Sequence, residues 1–294
     1  MSGRKRFEII VNPVAGSRNN GLFDAVVRRL EESGAQVRCL ETECPGHAVE
    51  LAATAAMQGH ADVVVAAGGD GTINEVARGL LGHAMPLGIL PLGTANVLGV
   101  EIGQRARAKS VADTLLFGEA KLIGTGLVGG EVFLLMVGVG FDGRVVGAIR
   151  PAMKRRLGRF AFIWEGLQVW AAGPSAEIHL EIDGVQEEAA WVLVTNVRHY
   201  AGPFTLSQTA GILQPGLEVY LFRGRSRLAF AGYFLGLAFG RVAAMPGVDV
   251  VHGKEIKISS QVSCEVEVDG DARDPLPLVI EQGTGFLRLV IPRS

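Results

Sequence analysis

Along the first 125 residues, short apolar runs alternate with segments whose apolar positions recur at helical spacing. Residues 7–11 predict a strand, and 22–33 a helix in which Val26, Val27 and Leu30 share a face. Residues 37–40 predict the second strand and the alanine-rich 47–58 the next helix. Residues 63–67 are uninterruptedly apolar, as a strand covered on both faces should be. After Gly68-Gly69-Asp70-Gly71-Thr72, the positions Ile73, Val76, Ala77 and Leu80 repeat at helical spacing. A short strand at 87–90 runs into Pro91-Leu92-Gly93-Thr94-Ala95-Asn96, and 110–116 predicts another helix. Such alternation predicts a parallel α/β sheet.

From about Leu122 the texture changes. Apolar runs at 132–137, 176–182, 190–195, 217–222, 256–259, 264–268 and 286–291 predict strands, interrupted by helical segments at 155–171 and 227–242. Two domains are therefore expected, as the length of 294 residues also suggests.

Composition narrows the class. With 48% hydrophobic and 20% charged residues the chain reads as globular, and its 40 glycines signal tight turns and close backbone approaches. A formal net charge of −2 argues against a nucleic-acid partner. Cys39, Cys44 and Cys264 form no CxxC pair, so neither a disulfide framework nor a zinc site is expected, and the cytoplasm is the expected compartment. The apolar run near the start is too short for a signal peptide, and 228–240 falls short of the roughly 20 residues that cross a bilayer. Bounded by Arg227 and Arg241, that stretch is read as a buried helix rather than an anchor.

The chemistry concentrates on Gly68-Gly69-Asp70-Gly71-Thr72. Glycines without a Cβ let backbone N–H groups approach phosphate oxygens, and the following helix directs its positive end at them. Asp70 adds a metal-capable carboxylate. A plain strand-to-helix turn needs neither the acid nor three glycines, so a nucleotide site is the reading adopted. Gly138 to Gly143 also satisfies GxGxxG, but in the β-rich half and without a clear βαβ unit, so a dinucleotide site is rejected there. No serine or cysteine shows a partner arrangement for covalent catalysis, which favours direct transfer.

The sequence GGDGTINEV at 68–76 resembles the nucleotide-binding motif of the diacylglycerol kinase catalytic-domain family, including the bacterial soluble lipid kinases related to sphingosine kinases. Asn12-Pro13-Val14-Ala15-Gly16 is similar to that branch's NPxxG turn, Thr42 with Gly46-His47-Ala48 to its Thr and GHA segment, and Pro91–Asn96 to its PLGTxN element. In the second half Gly138-Val139-Gly140-Phe141-Asp142 resembles the GxGFD turn, and Asp269-Gly270-Asp271 stands where DGE is expected. The resemblance spans nearly the whole chain. It implies an N-terminal NAD-kinase-like α/β domain over 1–124, a C-terminal β-sandwich over 125–285 and an active site in the cleft between them, with a last strand at about 286–294 returning to the first domain.

By the same resemblance the protein transfers the γ-phosphoryl group of ATP, with Mg²⁺, to a hydroxyl of a diacylglycerol-like or other lipid alcohol at the membrane surface. Asn12, Thr42, Gly68, Gly69, Asp70, Gly71, Thr72, Asn74 and Thr94 would bind the nucleotide. Asn12 read alone is a turn residue, and Thr94 and Asn96 equally fit helix caps. Asp70 would neutralise charge through the ATP-bound Mg²⁺. Asp271, with Asp269 as electrostatic partner, would take the proton, the two facing one side of an extended segment; Asp269 could share or take that role, and read without the resemblance the segment is an exposed Asp-Gly hairpin turn. The alternatives kept are a sphingoid-base kinase, an NAD kinase and a catalytically weak nucleotide-binding regulator.

Departures from the family pattern fit either an altered lipid choice or reduced activity, and keep the last of these alternatives open. The acidic DGxLD-type segment of relatives corresponds to Gln214-Pro215-Gly216-Leu217-Glu218, where one carboxylate is missing and the other lengthened. That argues against a second Mg²⁺ site, for which Glu218 is the remaining acid. An Asp usual near Ile123–Gly126 is absent, and the usual Asn-Asp is Asn96-Val97. Finally, Arg144, Arg150, Lys154, Arg155, Arg156 and Arg159 precede Phe160, Phe162, Ile163, Trp164 and Trp170. Two readings stay open: shallow, transient insertion into an anionic membrane, or a solvated basic face beside a core helix. A homodimer is left open as well.

Overall fold

The computed structural model describes residues 3–14, 20–149, 159–173, 177–202, 204–214, 216–283 and 286–293. In chain order the first half contains β1 (Arg6–Val11), α1 (Asn20–Glu32), β2 (Gln36–Glu41), α2 (His47–Gln58), β3 (Val63–Gly68), α3 (Asp70–Leu80), β4 (Leu87–Pro91), α4 (Val97–Glu101), α5 (Ala108–Phe117) and β5 (Glu119–Ile123). Then follow β6 (Gly126–Val128), β7 (Glu131–Phe133), β8 (Met136–Val139), α6 (Phe141–Ala148), α7 (Arg159–Ala172), β9 (Ile178–Ile182), β10 (Val185–Ala189) and β11 (Trp191–Thr195). The remainder comprises β12 (His199–Tyr200), β13 (Phe204–Thr205), β14 (Leu217–Phe222), α8 (Arg227–Ala238), β15 (Val248–Gly253), β16 (Glu255–Ser260), β17 (Val266–Val268), β18 (Asp271–Arg273), β19 (Leu278–Gln282) and β20 (Leu287–Ile291). These elements form two units, Met1–Gly124 with Thr284–Ser294, and Thr125–Gly283.

The first unit is built on one sheet of order β2-β1-β3-β4-β20-β5. The pairings among β2, β1, β3 and β4 are parallel, while β20 runs parallel to β4 and antiparallel to β5. Every residue of β3 is buried, which its continuous apolar run requires, since helices lie on both faces of the sheet. Val26 and Leu30 of α1 and Val111 and Leu115 of α5 pack with Phe7, Ile9, Val63 and Val65. On α3, Gly79 allows α2 to come close, because a Cβ there would sit 2.3 Å from the Val49 carbonyl oxygen and 2.7 Å from Ala52 Cβ.

The second unit is a sandwich of two six-stranded sheets, β10-β9-β16-β19-β6-β7 and β15-β14-β11-β8-β17-β18. Ile178, Leu180, Ile256, Ile258 and Ile280 of the first sheet pack against Val137, Val139, Val192, Val194, Val219 and Val266 of the second. The outer face of the second sheet carries an aromatic cluster, with Trp191 stacked on Phe222 at a centroid separation of 3.9 Å and Phe141, Phe230 and Phe234 around it.

Two differences from the sequence pattern have physical causes, while the glycine-rich stretch at 138–143 agrees with it. The run 132–137 is two strands in different sheets, because the N–H groups of Leu134, Leu135 and Met136 donate to the Asp269 carboxylate at 2.8, 2.8 and 3.0 Å. The helix expected over 227–242 ends at Ala238, followed by the left-handed Gly240 (φ 62°) and a 3₁₀ turn at Val242–Ala244. The GxGxxG stretch does join a strand to a helix, yet β8 is antiparallel to both β11 and β17, so no parallel βαβ unit exists there.

Candidate active site

The parallel order places the carboxyl ends of β1, β3 and β4 side by side, where ligands of open α/β sheets bind. Backbone bonds tie the departing loops to one another: Asn12 N–H donates to the Ala67 carbonyl (3.2 Å), Leu92 N–H to Gly68 (2.9 Å) and Thr42 N–H to Val11 (2.9 Å). The structure thus brings together Asn12, Thr42, the glycine turn and the turn carrying Thr94. Asn12 Nδ2 donates to Thr72 Oγ1 (3.3 Å), and its Oδ1 accepts from Val14 N–H (3.1 Å). Ala15 and Gly16 of the same motif lie outside the described residues.

Glycine at 68 and 93 answers to close packing here. A Cβ on Gly68 would lie 2.5 Å from Thr72 Oγ1, and one on Gly93 would lie 2.5 Å from Gly69 Cα. Gly93→Ala is therefore expected to push the two loops apart, at a cost of about 1 to 3 kcal/mol in stability, together with weakened ATP binding. Denaturant unfolding and nucleotide titration of the variant check this; wild-type values in both would show that the loops part freely.

Helix α3 begins after Gly69 with no side-chain cap. Its first-turn acid, Asp70, instead accepts from Leu98 N–H at the start of α4 (3.3 Å). Burial raises the Asp70 pKa, opposed by the backbone amides of Val97, Leu98 and Asn96. Asp70 is thus half-buried rather than a free surface acid. Asn96, in left-handed conformation (φ 50°), donates from Nδ2 to the Gly93 carbonyl (2.9 Å), while its buried Oδ1 has no hydrogen-bond partner among the described residues. The cap expected of Asn96 is not made. This orphan acceptor was not legible in the sequence. Gly71 and Thr94 are exposed, Asn74 is half-buried and Thr42 lies half-buried beyond β2.

In the second unit, Asp269 (φ 52°) and Gly270 (φ 88°) form the two-residue turn between β17 and β18, since Val268 pairs with Asp271. The two acids consequently do not share a side as an extended segment would have them. The Asp269 carboxylate is taken up by three backbone N–H groups, whereas Asp271 is exposed. Buried Glu267 accepts from Gly270 N–H (2.7 Å).

Buried Asp142, which the sequence showed only as part of a turn motif, accepts from Trp191 Nε1 (3.1 Å) and the Tyr200 hydroxyl (2.5 Å). A Cβ on Gly138 would meet Asp142 Oδ2 at 3.0 Å and Glu267 Oε1 at 2.8 Å, so the two carboxylates converge over that glycine. Burial pushes the Asp142 pKa up to about 6, and burial with the Asp142 charge pushes Glu267 well above its ordinary range. Folded-state values above unfolded ones mean a stability contribution complete below about pH 4 and lost as pH rises through about 6. Asp142→Asn is expected to flatten this part of the stability profile, measured as urea midpoints between pH 4 and 7. Parallel profiles for variant and wild type would count against the shift.

Glu218 is buried; its Oε1 accepts from Thr209 Oγ1 (2.5 Å) and lies 3.5 Å from His252 Nε2, and Oε2 accepts from the Tyr220 hydroxyl (3.2 Å). Thr209 and Tyr220 hydroxyls occupy this carboxylate, an arrangement that does not fit a second Mg²⁺. Pro215 lies outside the described residues. Among the described residues no group of three or more His, Cys, Asp and Glu is placed to hold a metal.

A parallel sheet with glycine turns on the adjacent ends of β3 and β4, and a β-sandwich in the second unit, define a nucleotide-binding protein of the NAD-kinase-like type. Residues 6–128 match the family described as the diacylglycerol kinase catalytic domain, and residues 135–291 match the YegS C-terminal NAD kinase beta sandwich-like domain. The chain belongs to this family and is an ATP-dependent lipid kinase.

Among its relatives, the diacylglycerol kinase of Bacillus subtilis (strain 168) is 29% identical, with 99% of this chain and 97% of that protein covered. The diacylglycerol kinase of Staphylococcus aureus (strain Newman) is 30% identical over 93% and 88%. A crystal structure of a Bacillus anthracis protein, 23% identical, shares the fold with a TM-score of 0.82 over 99% of this chain and 96% of that one. The comparisons do not favour an NAD kinase, a sphingoid-base kinase or a catalytically weak nucleotide-binding regulator.

Proposed function

We propose that the acceptor is a diacylglycerol and that Asp70, through Mg²⁺, and Asp271 are the acids of the transfer. The observation that carries the nucleotide half is the uncapped start of α3 among Gly68, Gly69 and Gly93, beside an Asn96 oxygen that lacks a donor. The first-turn amides of α3 bind phosphate oxygens, the packed glycines keep side chains out of the phosphate path, and Asn96 Oδ1 accepts from a ribose hydroxyl or adenine amine. Asp70 fits a cation held by a single carboxylate with phosphates and water completing the shell. When bound, Mg²⁺-ATP supplies the transferable phosphoryl group. Asp271, exposed and untethered by the amides that occupy Asp269, takes the proton from the acceptor hydroxyl. Both curated relatives bear the name diacylglycerol kinase, which supports the choice of acceptor.

The test is purified protein with Mg²⁺-ATP against diacylglycerol, a sphingoid base, other lipid alcohols and NAD. Phosphorylation of diacylglycerol ahead of the rest is expected. Preference for a sphingoid base would overturn the acceptor, and nucleotide binding without turnover would overturn catalysis.

The protein is read as cytoplasmic, working transiently at the membrane; no described helix is long and apolar enough to cross a bilayer. In the basic segment, Arg150, Lys154, Arg155 and Arg156 lie outside the described residues, as do the side chains of Arg159, Phe160, Phe162 and Ile163. Arg144 donates to the Gly173 carbonyl (2.8 Å), and Trp164 is exposed.

A further inference from the structure

Helix α8 is apolar all round. Residues 228–240 contain no charged side chain, yet the helix is only half covered by the sandwich. Phe230, Tyr233 and Leu237 face inward and are buried. Leu228, Leu235 and Phe239 are 85%, 61% and 77% exposed. At 100° per residue these three positions fall within about 40° of one another, so they form a single outer stripe. A helix of this composition belongs inside a protein or in lipid, and with 12 residues α8 is too short to span a bilayer. The sequence reading of a buried helix thus holds for the inner face alone.

The surroundings identify what covers the stripe. From residue 223 to residue 248 the charged residues are Arg223, Arg225, Arg227 and Arg241, with no acid among them, in a chain whose net charge is −2. Arg223 pairs with Glu187 and Asp249, and Arg225 with Glu177. Arg227 and Arg241, at the two ends of α8, make no ion pair with a described residue. An apolar stripe with an arginine at either end fits anionic headgroups above acyl chains. A second copy of the chain would set like charges against each other. Helix α7, linked to α8 by the bond from Trp170 Nε1 to the Arg227 carbonyl (3.0 Å), adds exposed Trp164 and Leu167.

We propose that the outer face of α8, through Leu228, Leu235 and Phe239 and with Arg227 and Arg241, docks the protein shallowly onto an anionic bilayer. The proposal rests on the reading that the acceptor lipid resides in a membrane. None of these side chains belongs to the nucleotide or proton-transfer machinery.

The test uses the full chain and sedimentation with vesicles of phosphatidylcholine, with and without phosphatidylserine. Wild type is expected to prefer the anionic vesicles by at least about tenfold. The Leu235→Glu/Phe239→Glu variant should bind them at least about tenfold more weakly. It should also lose activity on long-chain diacylglycerol in those vesicles while keeping activity on a soluble short-chain diacylglycerol. Arg227→Gln/Arg241→Gln should narrow the anionic preference. Unchanged vesicle binding in the Glu variant overturns the docking face, as does a wild-type dimer in light scattering that the variant converts to monomer. Failure of wild type to phosphorylate either lipid overturns the acceptor reading instead, and vesicle binding still decides the docking face.

Discussion

Asp70→Asn lowers turnover by at least about a hundredfold while leaving the fold in place. Removing charge stabilisation from a phosphoryl-transfer site costs on the order of 10² to 10³ in rate, and Asp70 is the acid at the head of α3. Asparagine retains an oxygen that accepts the Leu98 N–H, so α4 keeps its contact and the unfolding midpoint changes by less than about 1 kcal/mol. Steady-state rates at saturating Mg²⁺-ATP and denaturant unfolding check the two halves. Wild-type turnover would remove Asp70 from the mechanism, and a collapsed midpoint would recast it as a structural link between α3 and α4.

The second large effect separates the two acids of the β17–β18 turn. Asp271→Asn should lower turnover by about 10² to 10⁴-fold with little change in stability, because the side chain is exposed. Asp269→Asn should act mainly on stability, by about 1 to 3 kcal/mol, since a charged acceptor of three backbone bonds becomes a neutral one. Turnover and urea midpoints for both variants, with ATP affinity measured separately, decide the assignment. Near-normal turnover in Asp271→Asn with a collapse in a still folded Asp269→Asn would move the base to Asp269. Normal turnover in both would remove the turn from the mechanism.

The parallel layer was legible because burial on both faces leaves an unbroken apolar run, as at Val63–Gly68, and glycine marks the crossings at 68 and 93. The β-sandwich was legible in kind but not in detail. Strand β10, with Glu187 and Glu188 at a sheet edge, carries too little apolar signal, and β6 and β18 are three residues long. Contacts distant in sequence were beyond reach altogether. Nothing local to Asp269 says that its carboxylate ends the ladder of β8, and nothing local to Asp142 announces Tyr200 and Trp191 as its donors. The outer stripe of α8 escaped for a simpler reason: an apolar composition reports affinity for a nonpolar surrounding without saying whether protein or lipid provides it.

The placement of β20 between β4 and β5 bears on how the chain is made. When residue 124 leaves the ribosome, β5 has no neighbour and the apolar edge of β4 is open. The strand that closes the gap follows about 160 residues later, which at about 5 to 20 residues per second is some ten to thirty seconds of synthesis. Throughout that interval a nascent edge containing Leu87, Ile89 and Leu90 stands ready to pair with any passing strand. A chaperone that shields the N-terminal sheet until termination would raise the yield of active enzyme more than one acting on the sandwich, whose strands are all synthesised together.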